Sequence, residues 1–157
     1  MTPTLSCCSK KRNRILKFLL LSLVTLLVSA SNFKADDIVG FWLDESKKLI
    51  VECYDFENRY YARIRWFDNE NKNIEKFSEN GLPKSKWLNY KVMEHFVFNG
   101  SHWDKGVIHQ IKKGNTYDAT IHMKNKNMIV VRGYVLISLL GEDVKFTRYF
   151  GALPKQE

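Results

Sequence analysis

At 157 residues the chain is about one domain long. Its formal net charge is +8, from 25 Lys and Arg against 17 Asp and Glu, but Lys10, Lys11, Arg12, Arg14 and Lys17 all sit in the first thirty positions, which hold no acidic residue. Without that stretch 20 basic residues face 17 acidic ones, a net +3 scattered among Asn, Glu and Asp, which excludes the clustered basic face that nucleic acid requires.

In chain order, residues 1–30 read as a targeting signal. The five cations form a basic n-region, Phe18 to Leu27 an apolar h-region, and Val28-Ser29-Ala30 supplies the small residues that a signal peptidase needs. The expectation is cleavage near Ala30 and a mature protein that is periplasmic or secreted. The apolar stretch is shorter than the roughly 20 residues of a bilayer span, so no membrane span is expected after cleavage; an uncleaved anchor is the alternative. Cys7 and Cys8 leave with this segment. Cys53 then stands alone on the apolar side of LIVECY, where a buried, unreactive thiol is expected.

Residues 31–157 form one domain, without repeats, low-complexity tracts or a Pro/Gly linker. Short runs rich in Val, Ile, Tyr, Phe and Trp alternate with period two, separated by Asn, Gly, Asp and Lys clusters. They predict strands at 38–44, 48–55, 58–67, 90–98, 103–111, 115–124, 127–139 and 142–150, an all-β, antiparallel up-and-down barrel of about eight strands. Segment 68–89 is the one long connection, polar enough for a loop with a short helical turn.

Hairpin parity predicts which side chains share the interior. A turn centred on Ser46 and Lys47 pairs Trp42 with Val51, so Leu49, Val51 and Cys53 point inward with Trp42. A turn at Phe56 and Glu57 pairs Cys53 with Tyr60, placing Tyr60, Ala62, Ile64 and Trp66 inside and Arg59, Arg63 and Arg65 outside. Farther along, Tyr117, Ala119, Ile121 and Met123 face inward. A turn at Gly141 and Glu142 pairs Phe146 with Ile137, so Ile129, Val131, Gly133 and Val135 point inward too. Arg132, lodged in an apolar run, then points outward across from Asp118 or Thr120 as a surface pair. Tyr134 and Leu136 are left as apolar outer residues that the 68–89 segment would have to cover.

Gly40-Phe41-Trp42 in the first strand and an inward Arg148 in the last resemble the calycin superfamily of lipocalin-like barrels, in which a Gly-x-Trp meets an arginine from near the barrel's end. Such an arginine stacks on the indole and donates to nearby carbonyls, while the tryptophan plugs one end. A closer resemblance is to the exported bacterial family known as domain of unknown function 2147. It rests on Gly40, Trp42, Asp68-Asn69, Trp103 and Gly106 with Ile108, then on Gly114-Asn115-Thr116-Tyr117, Val131-Arg132-Gly133-Tyr134, Gly141 and Arg148. The resemblance implies a barrel fold and an envelope location, and no activity.

Chemistry is sparse. His95, His102, His109 and His122 fall on different strands, with neither i, i+2 spacing nor a helical HExxH pattern, so no metal site is expected. There is no G-x-S-x-G elbow, no histidine close in sequence to Cys53 and no phosphate-cradling glycine loop, so neither catalytic residues nor a cofactor are expected. The candidate ligand-binding set is Trp42, Tyr60, Trp66, Tyr117 and Phe146, with Gly133 keeping space open and Arg148 or a tyrosine hydroxyl as polar handle. An eight-stranded barrel is just wide enough inside to be packed or to hold one small ligand. Two readings follow. One is a non-enzymatic binding module for a small apolar or amphiphilic ligand; the other is a filled barrel that docks an envelope protein or the cell wall through Arg132, Tyr134 and segment 68–89. A measured cavity volume separates them.

Overall fold

The computed structural model describes residues 33–68, 81–134 and 141–156. The expected signal or anchor at 1–30, most of the polar connection, and the expected strand positions Val135, Leu136 and Ile137 lie outside the described residues. The strands are β1 (Gly40–Asp44), β2 (Leu49–Phe56), β3 (Arg59–Phe67), β4 (Lys91–Phe98), β5 (Trp103–Gln110), β6 (Asn115–Asn125), β7 (Met128–Tyr134) and β8 (Glu142–Arg148). Each pairs antiparallel with the next, and β8 returns to β1 through Trp42↔Arg148, closing the barrel.

Local chemistry sets the hairpins. Asp44 accepts from the backbone N–H groups of Ser46, Lys48 and Leu49, which folds the β1–β2 turn and fixes the expected Trp42↔Val51 pair. Glu57 and Asn58 both take positive φ (53° and 60°), the geometry of a tight turn that matches strand twist. That turn sits one residue later than the sequence reading put it, so Cys53 faces Ala62 rather than Tyr60. The shift is even in parity, and Tyr60, Ala62 and Ile64 still point inward.

Two expectations fail for a physical reason. Between Ile50 and Val51 the β2–β3 register slips by a β-bulge, and a one-residue slip reverses facing. Trp66 therefore pairs with the outward Ile50, while Phe67 pairs with the inward Leu49 and joins the buried core. The other failure is the β7–β8 turn. Phe146 pairs with Ile129 and Glu142 with Gly133, so the two strands are not joined by a tight turn at Gly141 and Glu142. At the start of the domain, residues 38 and 39 are not strand. Ala35–Ile38 forms a single 3-10 turn, with Asp37 accepting from the Lys34 N–H.

That 3-10 turn plugs one end of the barrel. Trp42 donates its indole N–H to Ile38 O (2.7 Å), Trp103 donates to Ala35 O (3.1 Å) and the Tyr60 hydroxyl donates to Asp36 (2.8 Å). Trp42, Phe96, Trp103, Ile64, Ile121 and Ile129 are almost entirely buried above it, each contributing roughly 1.5–3 kcal/mol or more by leaving water. The opposite end, toward which β1, β3, β5 and β7 run, is the mouth. The C-terminal tail leaves the closed end, where the Tyr149 N–H meets Phe41 O, and reaches the mouth, where the Gln156 side-chain amide makes two bonds to the Phe67 backbone.

Candidate functional site

The interior of the mouth half is not filled. A cavity of about 580 Å³ opens there, its walls made by Leu49, Val51, Val92, Met93 and Ile108 on one side and Val131, Gly133, Val144 and Phe146 on the other. Most are alternating inward positions of neighbouring strands, as period two requires, while adjacent Val92 and Met93 both reach the cavity where the β3–β4 register shifts. Polar groups gather at the rim: His109, Gln110, Lys113, Tyr117, Tyr134 and Glu142. The Tyr117 hydroxyl donates to Gln110 Oε1 (3.3 Å) and accepts from the Asn115 amide (3.0 Å), so it is held in place rather than left to rotate. Val144 is 45 % exposed although it lines the cavity, which shows how open the mouth is along β8.

The seven residues expected to line a ligand site separate into two groups and one outlier. Tyr117, Gly133 and Phe146 border the cavity. Trp42, Tyr60 and Arg148 sit at the closed end: the Arg148 guanidinium lies 4.1 Å from the Trp42 ring centre and donates to the carbonyls of Lys126 (2.8 Å), Val39 (3.0 Å) and Asp37. All three of its nitrogens are thus committed, and Arg148 is a structural clamp rather than a polar handle for a ligand. Gly40, at φ 128°, permits this arrangement, because a Cβ there would lie 3.0 Å from the guanidinium. Trp66, turned outward by the bulge, borders neither end of the interior. Gly133 also plays a different part from the one expected: a Cβ added to it would meet Ile108 Cδ1 at 2.5 Å, so the missing side chain seats Ile108.

Sequence reasoning passed over Trp87. It is buried, donates to Leu82 O (2.8 Å) and packs edge-on against Phe67 at 5.1 Å, while the Leu82 N–H bonds Ile111 O. Residues 81–90 thereby bridge β3 to the β5–β6 hairpin at the mouth. A single tryptophan in a polar run was the available signal.

Electrostatics mark structure rather than catalysis. Burial pushes the Cys53 thiol up to about 12, which leaves it protonated and inert. Burial also raises the Tyr60 phenol, reinforced by the Asp36 carboxylate. On the outer face, burial raises Glu52, but hydrogen bonds from Arg63 (2.7 Å) and Arg65 (2.6 Å) outweigh it and hold the carboxyl below its ordinary range. Arg132 pairs across the strands with Thr120, as expected, and its ion pair runs to Asp143 on β8 (2.7 Å). Among the described residues no three His, Cys, Asp or Glu side chains are arranged to hold a metal ion, and no helix is long and apolar enough to cross a membrane.

With this geometry in view, comparisons with known proteins can be placed. No curated protein matches the chain. Among solved structures, protein HP1028 from Helicobacter pylori, described as belonging to the lipocalin family, is similar with a TM-score of 0.55 at 14% identity, over 72% of this chain and 83% of that one. At that identity the likeness speaks for the fold alone, a lipocalin-like barrel. Residues 40–148, from the first strand to the last, match the family described as "Uncharacterized protein conserved in bacteria (DUF2147)", and the chain belongs to that family.

Proposed function

We propose that the protein is a non-enzymatic binding module that takes one small apolar or amphiphilic ligand into the mouth half of the barrel, and that it acts after export, in the periplasm or beyond. The observation that carries this reading is the cavity of about 580 Å³, within the range of about 300–1,000 Å³ usual for small-molecule sites. Its deep walls are aliphatic and aromatic, so a ligand gains by burying apolar surface there and would lose by burying a charge. The polar end of an amphiphile belongs at the rim, beside Gln110 and the oriented Tyr117 hydroxyl. Export rests on the basic, apolar and small-residue regions of positions 1–30. N-terminal sequencing of protein from the envelope fraction should start at or near Ser31; an intact Met1 would favour an anchored form.

The binding test is a titration with N-phenyl-1-naphthylamine, an apolar probe that fluoresces once out of water. Wild-type protein should bind it saturably. Val144→Trp should abolish that binding with the fold intact, because Val144 faces the cavity yet is 45 % exposed, leaving room for a larger ring. Val39→Trp, at the closed end and 40 % exposed, should leave it unchanged. A folded wild-type protein that takes up neither this probe nor any apolar molecule from its own cells would discard the ligand reading and leave the filled-barrel docking reading in its place.

A further inference from the structure

The mouth cavity has a polar neighbour. A smaller depression, of about 200 Å³, lies between residues 81–90 and the β5–β6 hairpin and is lined in part by Leu82, Tyr90, Asn115 and Thr116. It meets the cavity at His109 and Gln110, which line both. Local bonding fixes its walls. The Leu82 N–H donates to Ile111 O (2.8 Å), while the Lys113 and Gly114 N–H groups both donate to Gln110 O (3.0 and 2.8 Å). The turn between β5 and β6 is thereby closed and tied to the 81–90 segment.

Formal charge is absent or balanced around both spaces. Among the described residues no Asp, Glu, Lys or Arg lines the smaller depression, and the mouth carries one of each sign, Lys113 and Glu142. Both ring nitrogens of His109 are engaged, Nδ1 with the Thr116 hydroxyl and Nε2 with the Glu94 carboxylate (2.9 Å each), so a positive charge on that ring is already matched. A carboxylate, phosphate or ammonium group held here would give up its water without gaining an unmatched counter-ion. The junction offers hydrogen bonding instead. The Asn115 amide donates to the Tyr117 hydroxyl, which donates to Gln110 Oε1. That chain leaves the Gln110 amide N–H groups and Asn115 Oδ1 without a partner among the described residues, donors and an acceptor on paired positions of β5 and β6.

We infer that the ligand is an uncharged amphiphile with a hydroxylated headgroup, of the monoacylglycerol or alkyl glycoside type, its tail in the mouth cavity and its headgroup in the smaller depression against Gln110 and Asn115. This rests on the cavity being a ligand site, and adds the chemistry of the headgroup. A hydroxyl both donates and accepts, so one headgroup serves the Gln110 N–H groups and Asn115 Oδ1 together. A carboxylate only accepts, and a quaternary ammonium does neither.

The test is displacement of N-phenyl-1-naphthylamine from the full chain by three amphiphiles with twelve-carbon tails, each kept below its micelle concentration: monolauroylglycerol, laurate and dodecyltrimethylammonium. Monolauroylglycerol should displace the probe at a concentration lower by about tenfold or more than either charged compound. Gln110→Leu and Asn115→Leu should each shrink that advantage to about threefold or less, read as the ratio of the three affinities within one variant, with circular dichroism confirming the fold. The wild-type series needs no substitution, so a variant that fails to fold leaves the test intact. Laurate or dodecyltrimethylammonium displacing the probe as well as monolauroylglycerol does would overturn the headgroup assignment and leave the cavity standing. An undiminished advantage in both folded variants would overturn the placement at Gln110 and Asn115. A wild-type protein that binds neither the probe nor any of the three removes the cavity reading and this inference together.

Discussion

The two ends of the barrel share the same eight strands and have opposite characters. At the closed end the inward polar groups are tied to the floor: the indoles of Trp42 and Trp103, the Tyr60 hydroxyl and the Arg148 guanidinium all bond the 3-10 turn or its flanks. At the mouth the inward side chains leave a cavity of about 580 Å³ open. The contrast teaches that the lipocalin-like signature, a tryptophan under an arginine, belongs to the architecture of the floor. Any ligand chemistry is written in residues farther up the strands, where the signature is silent.

Removing the clamp should have the largest effect. Arg148→Ala strips a cation from the Trp42 face and leaves three carbonyls without their donor, so urea denaturation should register a loss of about 3 kcal/mol. If the two ends differed little, a mouth substitution would hurt as much.

A pair of glycines sharpens the point. A Cβ on Gly106 would meet the Phe96 ring at 2.3 Å, in a core where Phe96 is fully buried, and Gly106→Ala should destabilise by about 2 kcal/mol. Gly133→Ala meets only the tip of Ile108, which can swing into the cavity, and should cost less than about 1 kcal/mol in the same assay. Equal losses would mean that the mouth half is packed as tightly as the floor.

Acid should attack the closed end first. The Lys126 ammonium, followed by the Lys34 N–H, holds Asp37 below its ordinary value. Because the folded value is the lower one, the resulting stabilisation is present above the unfolded aspartate range of about 4 and is lost as pH falls through the depressed value. Asp37→Asn should therefore flatten the dependence of thermal midpoint on pH below about 4, and an unchanged slope would contradict the role given to this pair. The smallest effect belongs to Arg132→Ala, whose ion pair with Asp143 lies on the outer face; a loss under about 1 kcal/mol is expected in the urea assay.

How much of this was legible in the sequence depends on whether parity alone was needed. Period-two alternation sorted inward from outward residues correctly in β1, most of β2 and β3, and β6, while the lipocalin-like resemblance, together with closure of a barrel that brings first and last strands together, led to the Trp42–Arg148 contact. Parity says nothing about bulges, and the one between Ile50 and Val51 reversed Trp66 and Phe67. Nor does it fix loop length: the β7–β8 register is displaced along the strands with facing preserved. The division of the candidate site into floor and mouth was invisible for the same reason, since alternation gives the side of a residue and not its height along the axis. The stacking of His102 on His122 was equally hidden, since two residues on different strands meet only through the register of β5 on β6.

The central claim, a structural floor beneath a ligand-binding mouth, is tested most directly by methyl-resolved NMR during titration with N-phenyl-1-naphthylamine. The account predicts shifts in the methyl groups of Val92, Ile108, Val131 and Val144, which line the cavity, while those of Ile38 and Ile121 stay in place. Shifts spread evenly over both halves, or confined to methyl groups outside the cavity, would contradict it.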